Sequence, residues 1–122
     1  MTKKILVVDD SATIHMMIRM VLGKDRYTLV TATDGREAVD KAHAERPDLI
    51  VMDVVMPHMT GFEACRELRR AEDTKEIPVI LVTTRGEPAS VQQGFESGCS
   101  DYVTKPINGL ELLSKVQSYL GE

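Results

Sequence analysis

Five short apolar runs punctuate the chain: Ile5–Val8, Thr28–Ala32, Leu49–Met52, Val79–Val82 and Tyr102–Thr104. The first, third and fourth are continuously apolar rather than alternating, which suits strands buried on both faces of a parallel sheet. The second and fifth are mixed and read as edge strands. Helical rhythm fills the gaps. Ile14, Met17, Ile18, Val21 and Leu22 recur at i, i+3, i+4, i+7 and i+8, one face of a helix that Gly23 stops. Asp34 with Glu37 reads as a capping box for a second helix, ending before Pro47. Thr60 with Glu63 starts a third. Pro88 suits the first turn of a fourth that ends near Gly98. Asn108 with Glu111 opens a fifth, with Leu110, Leu113, Val116 and Leu120 expected on its buried face.

Strand and helix therefore alternate five times. Parallel strands need crossover connections, so the pattern predicts an open, doubly wound α/β sheet with helices on both faces. Such a sheet carries its site outside the carboxyl ends of the strands, at the switch in strand order. Those ends are chemically unusual here. The first leads into Asp9-Asp10, the third into Asp53, the fourth into Thr83-Thr84 and the fifth into Lys105-Pro106. Three carboxylates brought to one edge repel each other unless a cation intervenes. An oxygen-only donor set suits magnesium, which keeps waters that a phosphate can replace, better than zinc. An ammonium and a hydroxyl could then hold phosphoryl oxygens while one carboxylate acts as nucleophile. Each residue alone has a plainer reading, as a helix-start acid, a turn residue or a solvated charge. Their coincidence on four strand ends favours the functional one.

Composition narrows the field. The 122 residues fit one domain, spanning 1–122. The 43% hydrophobic and 28% charged content is that of an ordinary globular protein, with no apolar run long enough to span a bilayer. A net charge of −4, few aromatics and no Trp argue against direct nucleic-acid binding. Cys65 and Cys99 lack metal-ligand spacing and read as reduced, buried thiols of a cytoplasmic protein; no secretory signal is evident. His15, His43 and His58 form no ligand cluster by spacing and are expected at the surface or in loops. No P-loop pattern exists. Asp9-Asp10 occupies the place where a flavin-binding relative needs a hydroxyl-rich loop. A dehalogenase-type phosphatase would carry a second acid two residues beyond its nucleophile, where Val55 stands.

Ile5 to Ser11, the segment Asp48 to Asp53 followed by Met56-Pro57 and Thr60-Gly61, and Tyr102 to Pro106 together resemble the receiver domain of two-component response regulators, over essentially the whole chain. The resemblance implies a flavodoxin-like sheet of order 2-1-3-4-5 with five helices. It implies that Asp53 is the phosphoacceptor. Asp9, Asp10, Asp53 and the backbone carbonyl of Val55 would hold Mg2+, Asp9 largely through water. Lys105, before a cis proline, would pair with the phosphoryl group, and Thr83 would hydrogen-bond it while Tyr102 switches inward. The donor would be a sensor histidine kinase or histidine phosphotransfer protein. The target would be a downstream protein or the chain's own output domain, read through the fourth helix, fifth strand and fifth helix, with Val91, Gln92, Tyr102 and Lys115 as candidates. Such a chain is not an enzyme beyond catalysing its own phosphorylation and dephosphorylation. The competing reading is a non-phosphorylated pseudo-receiver used only for interaction.

Finer expectations follow. Thr84 replaces a small residue, and Val55 and Arg85 flank the site; Val55 has no polar atom to orient water, which predicts slow hydrolysis of the acyl phosphate. Met16 and Met20 point outward from the first helix as a donor-docking patch. The sequence stops at Glu122, after the fifth helix, which fits a stand-alone, chemotaxis-type regulator or a receiver excised from a longer protein.

Overall fold

The computed structural model describes residues 2–23, 25–84 and 88–122. The side chains of Thr84 and of residues 88–90 lie outside that description, as does Arg85, so the expectations for Thr84 and Arg85 fall outside it too. Ten elements alternate: β1 (Lys3–Val8), α1 (Ala12–Leu22), β2 (Tyr27–Ala32), α2 (Gly35–Glu45), β3 (Leu49–Asp53), α3 (Gly61–Arg70), β4 (Val79–Thr84), α4 (Pro88–Glu96), β5 (Asp101–Lys105) and α5 (Gly109–Leu120). The strands form one parallel sheet in the order β2-β1-β3-β4-β5. The three continuously apolar runs are its central strands, and the two mixed runs are its edges, as their patterns require.

Alternate side chains of each strand enter opposite cores. Leu6, Val8, Ile50, Met52, Val79 and Leu81 pack with Ala38, Ala42, Phe62, Ala64 and Leu68 from α2 and α3. Ile5, Val7, Leu49, Val51, Ile80, Val82 and Val103 pack with Ile18 and Leu22 of α1 and Leu112 and Val116 of α5. Among the described residues no helix is long and apolar enough to cross a membrane.

The helix starts follow the anticipated chemistry. Thr60 and Glu63 make a reciprocal capping box. The Asp34 side chain accepts from the Glu37 N–H at 2.8 Å, but Glu37 reaches one residue further back, to the Thr33 N–H at 2.7 Å. Asn108 accepts from the Glu111 N–H. Besides that incomplete capping box, two further expectations need correction. Leu110 is 82% exposed, not buried. It precedes Val116 by six residues, which at about 100° each turns it roughly 120° away from the core stripe; Leu112 takes the buried place. His15 is half-buried rather than a surface residue, and its Nε2 is enclosed with no hydrogen-bond partner among the described residues. It lies three residues before Ile18 and seven before Leu22, on the buried stripe of α1.

Candidate functional site

The sheet reverses its winding between β1 and β3, and the loops leaving these adjacent strands diverge to opposite faces. Asp9 and Asp10 follow β1 there, and Asp53 ends β3. Their carboxylates each offer an oxygen within 4.8 Å of the others, with Asp9 and Asp53 buried and Asp10 exposed. From the far side β5 delivers Lys105, which stands next to a cis bond to Pro106. Its Nζ donates to Asp53 Oδ2 at 3.0 Å and lies 3.7 Å from Asp9 Oδ2.

The local backbone holds these groups still. Asp9 Oδ1 accepts the Ser11 N–H at 2.9 Å, and the Ser11 hydroxyl caps α1 through the Ile14 N–H. Val55 N–H points to Asp53 Oδ1 at 3.4 Å. Gly61 opens α3 so close to the Asp53 carbonyl that a Cβ could not fit. Thr83, at the end of β4, is 1% exposed, and its Oγ1 has no hydrogen-bond partner among the described residues. An enclosed hydroxyl without a partner is costly unless something else supplies one.

Among the described residues three carboxylates face one ammonium, which leaves two negative charges unbalanced there. Burial pushes the Asp9 carboxyl above its ordinary range; the Ser11 N–H opposes this, and the nearby Asp53 charge adds to it. Burial also works against the charge on Lys105, but its hydrogen bond to Asp53 and the surrounding acids outweigh that and hold the ammonium above its ordinary range. The site thus has the size, charge deficit and all-oxygen donor set that suit one small divalent cation.

The structure brings Asp9, Asp10, Asp53 and Lys105 together as the sequence implied. Val55 stands at the rim, 70% exposed. Tyr102 is half-buried and turned into a different cluster: Lys115 Nζ sits 5.2 Å from the centre of its ring and donates to the Tyr102 carbonyl at 2.6 Å and to Asp101 Oδ1 at 3.1 Å. Phe95 meets Tyr102 edge-on at 5.9 Å. Of the residues anticipated on that face, Gln92 is exposed and Val91 half-buried. The sequence reading did not include Phe95 on that face; its 49% exposure and its edge-on contact with Tyr102 come from the packed structure alone.

Comparison with known proteins agrees with this geometry. Residues 5–117 match the response regulator receiver domain family. The alkaline phosphatase synthesis transcriptional regulatory protein PhoP of Bacillus subtilis is 40% identical over 98% of this chain, which spans 49% of that protein. The chain spans about half the length of the first curated relatives it matches. The structure of chemotaxis response regulator CheY4 of Vibrio cholerae superposes with a TM-score of 0.90 at 39% identity, covering 98% of this chain and 100% of that one. The receiver domain of sensor histidine kinase PA1611 from Pseudomonas aeruginosa, with a magnesium ion coordinated in its active site cleft, gives 0.90 at 30% identity and covers 100% of both chains. From its sheet order, its strand-end acids and these relatives together, the chain belongs to the response regulator receiver domain family.

Proposed function

We propose that Asp53 accepts a phosphoryl group in a Mg2+-dependent phosphorelay. The observation that carries this is the contact of Lys105 Nζ with Asp53 Oδ2 at 3.0 Å beside two further carboxylates. Asp9, Asp10, Asp53 and the Val55 carbonyl would hold the cation, which would neutralise charge between the carboxylates and the incoming phosphoryl oxygens. The magnesium in the PA1611 receiver supports that assignment by analogy.

The chain's own groups do the rest. An Asp53 oxygen attacks phosphorus, the new O–P bond forms, and the P–N bond of a phosphohistidine donor breaks with its electron pair leaving on the imidazole. Lys105 trades its contact with Asp53 for one with a phosphoryl oxygen, and the Thr83 hydroxyl gains a phosphoryl oxygen as acceptor. Tyr102 then moves toward the space that Thr83 leaves, and the α4-β5-α5 face with Phe95 and Lys115 presents the altered surface to a downstream protein or output domain. The chain is thus no enzyme in the usual sense; its chemistry is formation and loss of its own acyl phosphate.

The donor would be a histidine kinase or phosphotransfer protein in the cytoplasm. Met16 and Met20 are 64% and 78% exposed and line one open depression with Arg19 and Gly23, which supports their reading as part of the donor's docking surface. The competing reading as an interaction-only module would be favoured by a lost acid, lysine or hydroxyl, and all are retained. Incubation with acetyl phosphate and Mg2+, followed by intact-mass measurement, tests the proposal. A one-phosphoryl gain that chelator abolishes and Asp53→Asn removes is expected. A gain that persists in Asp53→Asn, or no gain at all, refutes it.

A further inference from the structure

The loop from Val54 to Thr60 links β3 to α3 and carries the Val55 carbonyl next to Asp53. It is held from inside by Gly61, whose N–H donates to the Val54 carbonyl at 2.9 Å. Within it the Met59 N–H donates to the Pro57 carbonyl at 2.8 Å, with His58 at φ 71°. Met56 is buried and Met59 packs against the same core. These contacts tie the segment from Val54 to Gly61 into one compact turn that contains both Val55 and Met59.

The place of Met59 is set by another element. Gly35 is the first residue of α2, buried, and a Cβ on it would lie 2.5 Å from the Met59 carbonyl oxygen, 2.9 Å from Met59 Cβ and 3.0 Å from Met59 Cγ. Ordinary contact begins at 3.4 Å, so the backbone would have to yield by about 0.9 Å. Glycine is not there for its backbone freedom, since its φ is not in the left-handed region. Placing it in a helix forgoes the propensity that alanine would give. Space is the remaining physical reason.

We propose that Gly35 is a positioning residue for phosphoryl acceptance: the gap left by its missing side chain seats Met59 and thereby sets the loop that carries the Val55 carbonyl and steadies Asp53. This rests on the reading of Asp53 as phosphoacceptor. A loop displaced by nearly an ångström would misplace one oxygen of the cation site and the Val55 N–H that faces Asp53 Oδ1. Misplacement on that scale costs about a hundredfold at most in rate.

The test is a Mg2+ titration of the full chain followed by NMR, with the rate of Asp53 phosphorylation by acetyl phosphate at saturating Mg2+. Gly35→Ala is expected to raise the Mg2+ Kd about threefold or more and to slow phosphorylation about tenfold or more. Arg36→Ala, an exposed neighbour on the same helix, is the control and should leave both unchanged. If Gly35→Ala fails to fold, Met59→Ala replaces it: the side chain beyond Cβ, which packs against the core beside Gly35, is lost while the Met59 carbonyl and Cβ stay, so a Kd rise of about twofold is expected and an unchanged Kd overturns the inference. Wild type that neither binds Mg2+ nor takes up phosphoryl overturns the acceptor reading and this inference together. Wild type that does both, with Gly35→Ala altered only in thermal stability or with Arg36→Ala altered equally, overturns the inference alone.

Discussion

Asp9→Asn is expected to stabilise the metal-free protein while weakening Mg2+ binding. Asp9 is 3% exposed and lies within 4.8 Å of two other carboxylates. At an effective dielectric of about 20, that separation gives roughly 3.5 kcal/mol of repulsion for each ionised neighbour. Lys105, at 3.7 Å from Asp9, returns roughly 4.5 kcal/mol on the same scale. Solvent reaches both Asp10 and Lys105 and screens their shares, and loss of charge on the Ser11 hydrogen bond costs about 1 kcal/mol. Burial of the Asp9 charge adds to the repulsive side. The balance is a gain of about 1–3 kcal/mol on neutralisation, and at about 4 °C per kcal/mol for 122 residues the melting temperature rises by roughly 4–12 °C. The pH dependence has a definite sign. The native carboxyl holds its proton above the ordinary value of 3.8, so wild-type stability falls as pH rises from that value through the raised folded one. The advantage of Asp9→Asn therefore grows as pH rises through the raised folded value and disappears below about pH 3.8. Thermal unfolding followed by circular dichroism in chelator, across pH, measures it. Saturating Mg2+ should reverse the order, because only wild type gains fully from the bound ion. A melting temperature for Asp9→Asn at or below wild type in chelator at pH 7 would refute the charge argument.

Thr83→Val replaces an enclosed hydroxyl that has no partner among the described residues with an isostere, so chemical denaturation should show unchanged stability or a gain of up to about 1 kcal/mol, while the NMR response of Tyr102 to beryllofluoride is lost; a larger stability loss would mean that the hydroxyl has a partner. Val116→Ala should cost about 2–3 kcal/mol and Leu110→Ala less than about 0.5 kcal/mol in urea unfolding, and equal costs would contradict the observed facing of α5. Burial raises the Cys65 thiol and pushes Cys99 up to about 11, so neither should react with iodoacetamide in the native state at pH 8 and both should react in denaturant; rapid native labelling would contradict their enclosure. Val55→Asn places a polar side chain at the exposed rim of the site and should speed loss of the acyl phosphate, measured by intact mass over time; an unchanged or slower decay counts against the role given to Val55.

Much of the site was legible because strand ends in a doubly wound sheet are fixed by chain pattern. Asp9, Asp10, Asp53, Thr83 and Lys105 could be named once each run was read as a strand, since every one stands at a run's carboxyl end. Helix facing was less legible. The spacing of Leu110, Leu113 and Val116 looks periodic, yet the core stripe is centred on Val116, with Leu112 as its buried companion. The half-buried position of His15 needed the packed α1 as well. Phe95 was passed over because periodicity marks what is buried and says little about which exposed side chains gather.

Hydrophobic period and strand-end chemistry are local properties, so the sequence alone determined the alternation of elements, the inner and outer strands and the identity of the acidic cluster. Distances between residues far apart in the chain are not local. Only tertiary packing decided that Lys105 lies against Asp53, that Thr83 Oγ1 is enclosed with no partner among the described residues, and that Lys115 and Phe95 gather around Tyr102. The same holds for Gly35 against Met59. A glycine's sequence context cannot say whether it is there for its backbone or for its missing side chain, because that depends on which atoms another element brings within reach.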